Sequence, residues 1–260
     1  MLSYRHEYHA GNHADVLKHL VQIAILDYMI QKDKPITYID THAGQAIYTL
    51  NSALASKNKE YEQGFHKIRI LKHPLIERYQ RYFDNDFYLG SVAIAQDILR
   101  DEDRLRCFEM HPTDFTRLSD NTAGDKRVKC FSSDGFQGLI SQVPPQSKRG
   151  FILIDPSYET TNDYHQVIEC LKKAMVKFAN GVYMVWYPLL IKQEVDHLHR
   201  KLTTLKIQGK PVDSLSLQLT VRRRSEGMFG SGVFIINPPW QLESQFKDLL
   251  PLLESAMQEN

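Results

Sequence analysis

The sequence predicts an α/β fold: a mostly parallel sheet with helices on both faces, a terminal antiparallel strand pair and a small helical insertion. Three observations lead there. Short apolar runs alternate with segments of helical period, the pattern of strand–helix–strand units. The last two runs follow each other with no room for a helix, so they pair antiparallel. One interval, from Asp40 to Glu109, spans 69 residues, far more than the roughly 30 that one strand–helix–strand unit needs.

Taken in order, Asn12 is placed to cap a helix from His13 to about Gln31, with Asp15 in its first turn. Val16, Leu17, Leu20, Val21, Ala24 and Tyr28 form its apolar stripe. After "KDKP" come seven strand-like runs: 36–40, 104–110, 128–134, 151–155, 182–187, 214–221 and 232–237. Helical patterning fills most intervals, as in "DYHQVIECLKKAMVKFA" and "IKQEVDHLHRKLTTL". The surplus at 51–87 is rich in lysine, tyrosine and charge and reads as the helical insertion, leaving 1–50 and 88–260 as one core. Lys57, Lys59, Lys67, Arg69, Lys72, Arg78 and Arg81 mix with aromatics there, so the insertion is either a plain cover over the core or a flap that touches RNA.

Composition sets the bounds. A chain of 260 residues, 42% hydrophobic, can bury one sizeable core. Its 32 basic and 31 acidic residues nearly cancel, so only local clusters can speak for a nucleic-acid partner. Cys107, Cys130 and Cys170 are odd in number and widely spaced, indicating neither a disulfide framework nor a zinc site. The N-terminus lacks a signal-peptide core, and "VYMVWYPLLI" falls short of the ~20 apolar residues of a membrane span. A soluble protein of a reducing compartment, the cytoplasm, is expected, with no membrane contact.

Function is sought at the strand ends, because ligands of open parallel sheets sit beyond the carboxyl ends of the strands. Those ends read Asp40-Thr41-His42-Ala43-Gly44, Glu109, Asp134-Gly135 and Asp155-Pro156. A series of carboxylates suits ribose hydroxyls and an adenine amino group; the plain alternative is that each acid starts a turn. "DTHAGQ" has one glycine where a phosphate cradle has three, so a nucleoside without phosphate, such as S-adenosylmethionine, fits better.

"DPSY" narrows the chemistry. An exocyclic amino group is a poor nucleophile because its lone pair is delocalised into the ring. A carboxylate and a backbone carbonyl that both accept from it favour its pyramidal form, and the carboxylate can take the released proton. Asp155 would be that carboxylate, Pro156 would supply the carbonyl, and Tyr158 would stack on a flipped base. A second motif, "IINPPW", competes, but only 20 residues follow Trp240, and the candidate cofactor strands all precede Asp155. Asn237 is therefore expected to form a turn and Trp240 to pack. His6, His9, His13 and His19 crowd the N-terminus without an HExxH pattern or a nearby cysteine, so no metal site is expected. By spacing alone, Lys18 and His19 belong to a solvated helix face.

Together "MLSYRHEYHAGNHADVLKH", "DTHAG", "FEMHP", "DGF", "ILIDPSYE" and "INPPW" resemble the RlmJ family of 23S ribosomal RNA adenine N(6)-methyltransferases, in the same order from the first residue to about Trp240. The resemblance implies a Rossmann-like, S-adenosylmethionine-dependent methyltransferase core with an N-terminal segment closing over the site. It implies cofactor contacts at His19, His42, Ser91, Glu109, Asp134, Gly135 and Asp155, and substrate-side roles for Tyr4, His6 and Lys18, with Asp155 as proton acceptor. A cytoplasmic monomer acting on 23S ribosomal RNA is expected. Ser157 departs from the family's DPPY, which leaves the Pro156 carbonyl less restrained. DNA adenine or a glutamine amide as acceptor, or an RNA-binding module without activity, stays open.

Overall fold

The computed structural model describes residues 6–50, 59–223 and 227–258. After a 3₁₀ turn at His6–Tyr8, the chain enters helix α1 (His13–Met29), capped by Asn12, whose side chain accepts from the Ala14 and Asp15 amides. Strand β1 (Thr37–Asp40) follows, then β2 (Ile47–Thr49), α2 (Phe65–Ile68), α3 (Pro74–Tyr79) and β3 (Phe87–Leu89). Next come α4 (Ser91–Ile98), β4 (Arg104–Phe108), α5 (Pro112–Asn121), β5 (Val128–Phe131), α6 (Gly135–Gln142) and β6 (Gly150–Ile154). The chain finishes with α7 (Thr161–Lys177), β7 (Val182–Leu189), α8 (Gln193–Thr203), the short β8 (Lys206–Ile207) and β9 (Lys210–Pro211), β10 (Ser214–Thr220), β11 (Gly230–Ile236) and α9 (Leu242–Met257).

Seven strands form one sheet in the order β10-β11-β7-β6-β1-β4-β5. The five strands from β7 to β5 run parallel, whereas β11 is antiparallel to both β7 and β10. All seven expected runs are strands of this sheet. The strand order reverses between β1 and β6, and a crevice opens at such a point. A separate hairpin, β2 with β3, was not foreseen; it closes the ends of the insertion on each other.

Strand β6 is apolar throughout because both its faces are covered. Phe151 and Leu153 join the core on the α1 side, and Ile152 and Ile154 join the core on the α7 side. The alternation continues past the strand, so Asp155 shares the α1-facing side with Phe151 and Leu153. Helix α1 is buried on all sides: 15 of its 17 residues are inaccessible. Each fully buried Leu, Ile or Val in it contributes roughly 1.5–3 kcal/mol. The solvated face expected for Lys18 and His19 does not exist, since the hairpin, the insertion and the β6 exit close over it. Phe65, Tyr79 and Tyr82 of the insertion enter the same core as α1.

Near the C-terminus, Asn237 adopts a left-handed conformation (φ 54°) and its amide donates to the Ala179 and Gly181 carbonyls, the turn role expected of it. Trp240 is corrected: it sits in the turn before α9 and is 81% exposed rather than packed.

Candidate active site

A cavity of about 600 Å³ opens at the carboxyl ends of the parallel strands, beside the reversal point. Its size is that of a small-molecule pocket. His42, Glu109, Asp134, Gly135 and Asp155 line it from the sheet side, Ser91 from the start of α4, and His6, Lys18 and His19 from the N-terminal segment and α1. Pro156 and Tyr158 line it beyond β6. Every described residue on the list expected from the sequence is therefore in one place. Tyr4 and Lys57 lie outside the described residues.

The acids at the strand ends divide into different jobs. Asp40 is buried under the site and accepts from the Tyr38 hydroxyl (2.7 Å), the Ser91 hydroxyl (2.6 Å) and the His42 amide (3.2 Å). Burial pushes its carboxyl above the ordinary value, and the Ser91 and Tyr38 bonds limit the rise. It braces the β1 exit and does not face the cavity. Asp134 caps α6 by accepting from the Phe136 amide at 2.7 Å and the Gln137 amide at 3.2 Å, so the turn-starting role and a place on the cavity wall coincide.

Glu109, just past β4, is held by the Gly44 amide at 2.9 Å on one oxygen and the His111 amide at 2.7 Å on the other. Burial raises its carboxyl despite those two bonds. Its remaining lone pairs suit two adjacent hydroxyls. Gly135, the first residue of α6, permits close approach of that helix to β1: a Cβ there would sit 1.8 Å from the Thr41 carbonyl oxygen. A nucleoside cofactor fits this set, with acceptors for hydroxyls at Glu109 and apolar walls at Phe136 and Met110.

The other side of the cavity is a chain of charges. Lys18 Nζ lies 2.6 Å from Asp155 Oδ2 and 2.8 Å from Asp15 Oδ1. Asp15 Oδ2 in turn accepts from the Gly11 amide at 2.8 Å and lies 2.9 Å from His6 Nε2. Burial works against the Lys18 ammonium, yet the two carboxylates outweigh it and hold the group charged, well above its ordinary range. Burial likewise opposes ionised Asp15, but His6 and Lys18 hold it well below the usual carboxylate range. His19 donates or accepts at the Tyr88 hydroxyl (2.6 Å), and burial lowers it to about 3, so it is neutral at physiological pH.

Tyr158 sits in the left-handed region (φ 53°), which bends the chain after Pro156 and Ser157 and turns the ring inward. Its hydroxyl donates to the Trp186 carbonyl at 2.7 Å, and its ring lies 4.7 Å from that of Tyr164. Asp15 and Trp186 are among the cavity residues not expected from the sequence. Asp15 stands three residues before Lys18, a spacing that pairs side chains on a helix and was there to be seen. Trp186 lies inside an apolar strand and carries no such signal.

Comparison with known proteins agrees with this geometry. The family model described as "Ribosomal RNA large subunit methyltransferase D, RlmJ" matches residues 33–260. The ribosomal RNA large subunit methyltransferase J of Escherichia coli (strain K12) is 39% identical over 273 residues, covering 99% of this chain and 94% of that protein. Its namesake from Haemophilus influenzae (strain ATCC 51907 / DSM 11121 / KW20 / Rd) is 37% identical over 269 residues, again covering 99% and 94%. The crystal structure of protein LPL1258 from Legionella pneumophila superimposes with a TM-score of 0.87 at 34% identity, covering 96% of this chain and 94% of that one. A match over nearly the whole length, on a sheet whose strand ends gather the expected residues, places the chain in the RlmJ family of ribosomal RNA large subunit methyltransferases.

Proposed function

We propose that this protein transfers a methyl group from S-adenosylmethionine to the exocyclic N(6) amino group of an adenine in 23S ribosomal RNA, with Asp155 as the group that accepts the proton. The observation that carries this reading is the place of Asp155: one residue past β6, on the rim of the cavity and beside the strand reversal, with one oxygen fixed by Lys18.

When bound, S-adenosylmethionine supplies an electrophilic methyl group on a sulfonium. His19, His42, Ser91, Glu109, Asp134, Gly135 and Asp155, which line the cavity, would hold it. Glu109 offers acceptors to the ribose hydroxyls, and neutral His19 adds no positive charge beside the sulfonium. On the acceptor side, the adenine amino group donates to the free oxygen of Asp155 and to the Pro156 carbonyl, which aims its lone pair out of the ring plane. As the N–C bond forms, the S–C bond of the sulfonium would break with its electron pair left on sulfur as a neutral thioether, and one N–H proton passes to Asp155. Tyr158, its ring fixed by Tyr164 and Trp186, offers a face to the base. Tyr4, His6 and Lys18 complete the substrate side. Residues 1–50 and 88–260 carry the chemistry, with the 51–87 insertion at its flank, and the enzyme acts as a cytoplasmic monomer.

Radiolabelled methyl transfer to deproteinised 23S ribosomal RNA, to DNA and to protein tests the reading. Label is expected in RNA as N(6)-methyladenine, with Asp155→Asn slower by roughly 100-fold or more and Asn237→Ala near the parent rate. Label confined to DNA or protein, or loss of turnover only in Asn237→Ala, overturns it.

A further inference from the structure

Asp15 is 1% exposed, and its carboxylate joins three separate parts of the chain. It holds the turn before α1 through the Gly11 amide (2.8 Å), the N-terminal 3₁₀ segment through His6 (2.9 Å), and, through Lys18 (2.8 Å), the β6 exit, where Lys18 meets Asp155 at 2.6 Å. The contact with Lys18 is above all charge against charge, at 2.8 Å.

We propose that Asp15 is a positioning residue for methyl transfer: it shares the Lys18 ammonium with Asp155, fixing the aim of Asp155 without neutralising it. The inference rests on the proposed role of Asp155. One ammonium shared between two carboxylates does not cancel Asp155 outright, because Asp15 draws on the same charge. Were Lys18 paired with Asp155 alone, the two would cancel, and the carboxylate would be a weaker acceptor for the amino hydrogen. A lysine also has a long flexible stem, and a single partner leaves its Nζ free to swing; contact from both sides pins it. His6 draws on the same carboxylate, so the 3₁₀ turn His6–Tyr8 is tied to the same centre. A bare structural ion pair would serve Asp15 and Lys18 only, and would leave catalysis untouched once the protein had folded.

Three variants decide between these. Asp15→Asn keeps the shape and the Gly11 contact but removes the charge. Its kcat on 23S ribosomal RNA is expected to fall roughly 10- to 100-fold, the scale of a misplaced catalytic group. The RNA KM and the S-adenosylmethionine affinity should stay within about threefold, and Asp15→Glu should restore part of the rate. In a Lys18→Met background, adding Asp15→Asn is expected to change kcat by less than about twofold, because the effect passes through Lys18. That comparison also stands if Asp15→Asn alone does not fold, since the double variant carries neither buried charge. An unchanged kcat in folded Asp15→Asn, or losses that multiply in the double variant, overturns the proposal. Asp155→Asn separates the two levels: if it retains turnover, the proposed role of Asp155 falls; if it is inactive while Asp15→Asn is unaffected, only the positioning role falls.

Discussion

Removing the Lys18 ammonium leaves Asp15 and Asp155 facing each other across the space it filled. Deleting one partner of a buried ion pair costs about 3–5 kcal/mol. The Asp155 side opens to the cavity, so Lys18→Met is expected to lose about 3 kcal/mol in denaturant unfolding, and adding Asp15→Asn should recover part of that loss. Two histidines set a pH limit. Burial lowers His13 to about 4 and His19 to about 3, against an ordinary value of 6.5. The unfolded chain therefore binds protons first as pH falls, so the stability these rings give is complete above about pH 6.5 and drains away toward pH 4 and below. For His13 that is about 3 kcal/mol. Melting temperature should drop between pH 7 and 4, and His13→Gln should flatten the slope. At this scale the sequence was only partly legible. The spacing of Asp15 and Lys18 was visible in the helix, but their burial depends on Asp155, 137 residues from Lys18 along the chain, and no local pattern shows that.

Among the elements, the contact of α6 with the β1 exit is the tightest point of the site. Gly135→Ala would drive a methyl into the Thr41 carbonyl oxygen, and backbone cannot yield as a flexible side-chain tip can. The helix start must shift, so S-adenosylmethionine affinity is expected to fall at least tenfold by calorimetry while far-ultraviolet circular dichroism keeps its shape. Seven strands were legible because β1, β6 and β11 are buried on both faces and read as apolar runs, while β4 and β10 alternate apolar with polar residues, two patterns with few other ways to fold. The β2–β3 hairpin was not, since three residues per strand give no period to detect. Trp240 misled for a related reason: a large ring next to two prolines suggests packing, yet its exposure follows from the path of the turn.

On the scale of the whole molecule, the insertion and the sheet share one hydrophobic core. Phe65, Tyr79 and Tyr82 pack in the same cluster as Leu17, Leu20 and Tyr38. Calorimetric unfolding is expected to give one transition with calorimetric and van't Hoff enthalpies in agreement. Hydrogen exchange should protect the Tyr79 amide about as strongly as those of α1; a separate early transition for 59–89 would contradict it. The fold class was readable from alternation alone, whereas the shared core was not, because a lysine- and tyrosine-rich stretch looks like surface until its rings are seen pointing inward.

Helix α1 emerges from the ribosome before any strand of the sheet, and most of its buried residues are apolar around the Asp15–Lys18 pair. Its final counter-charge, Asp155, is translated 137 residues after Lys18, when more than half of the polypeptide is already outside or in the exit tunnel. Until then the nascent chain can cover α1 only with the insertion and helix α4, and its place on the sheet stays open. Chaperone engagement during synthesis should therefore begin early and end abruptly once the sixth strand emerges, and no amino-terminal fragment short of that point should refold on its own.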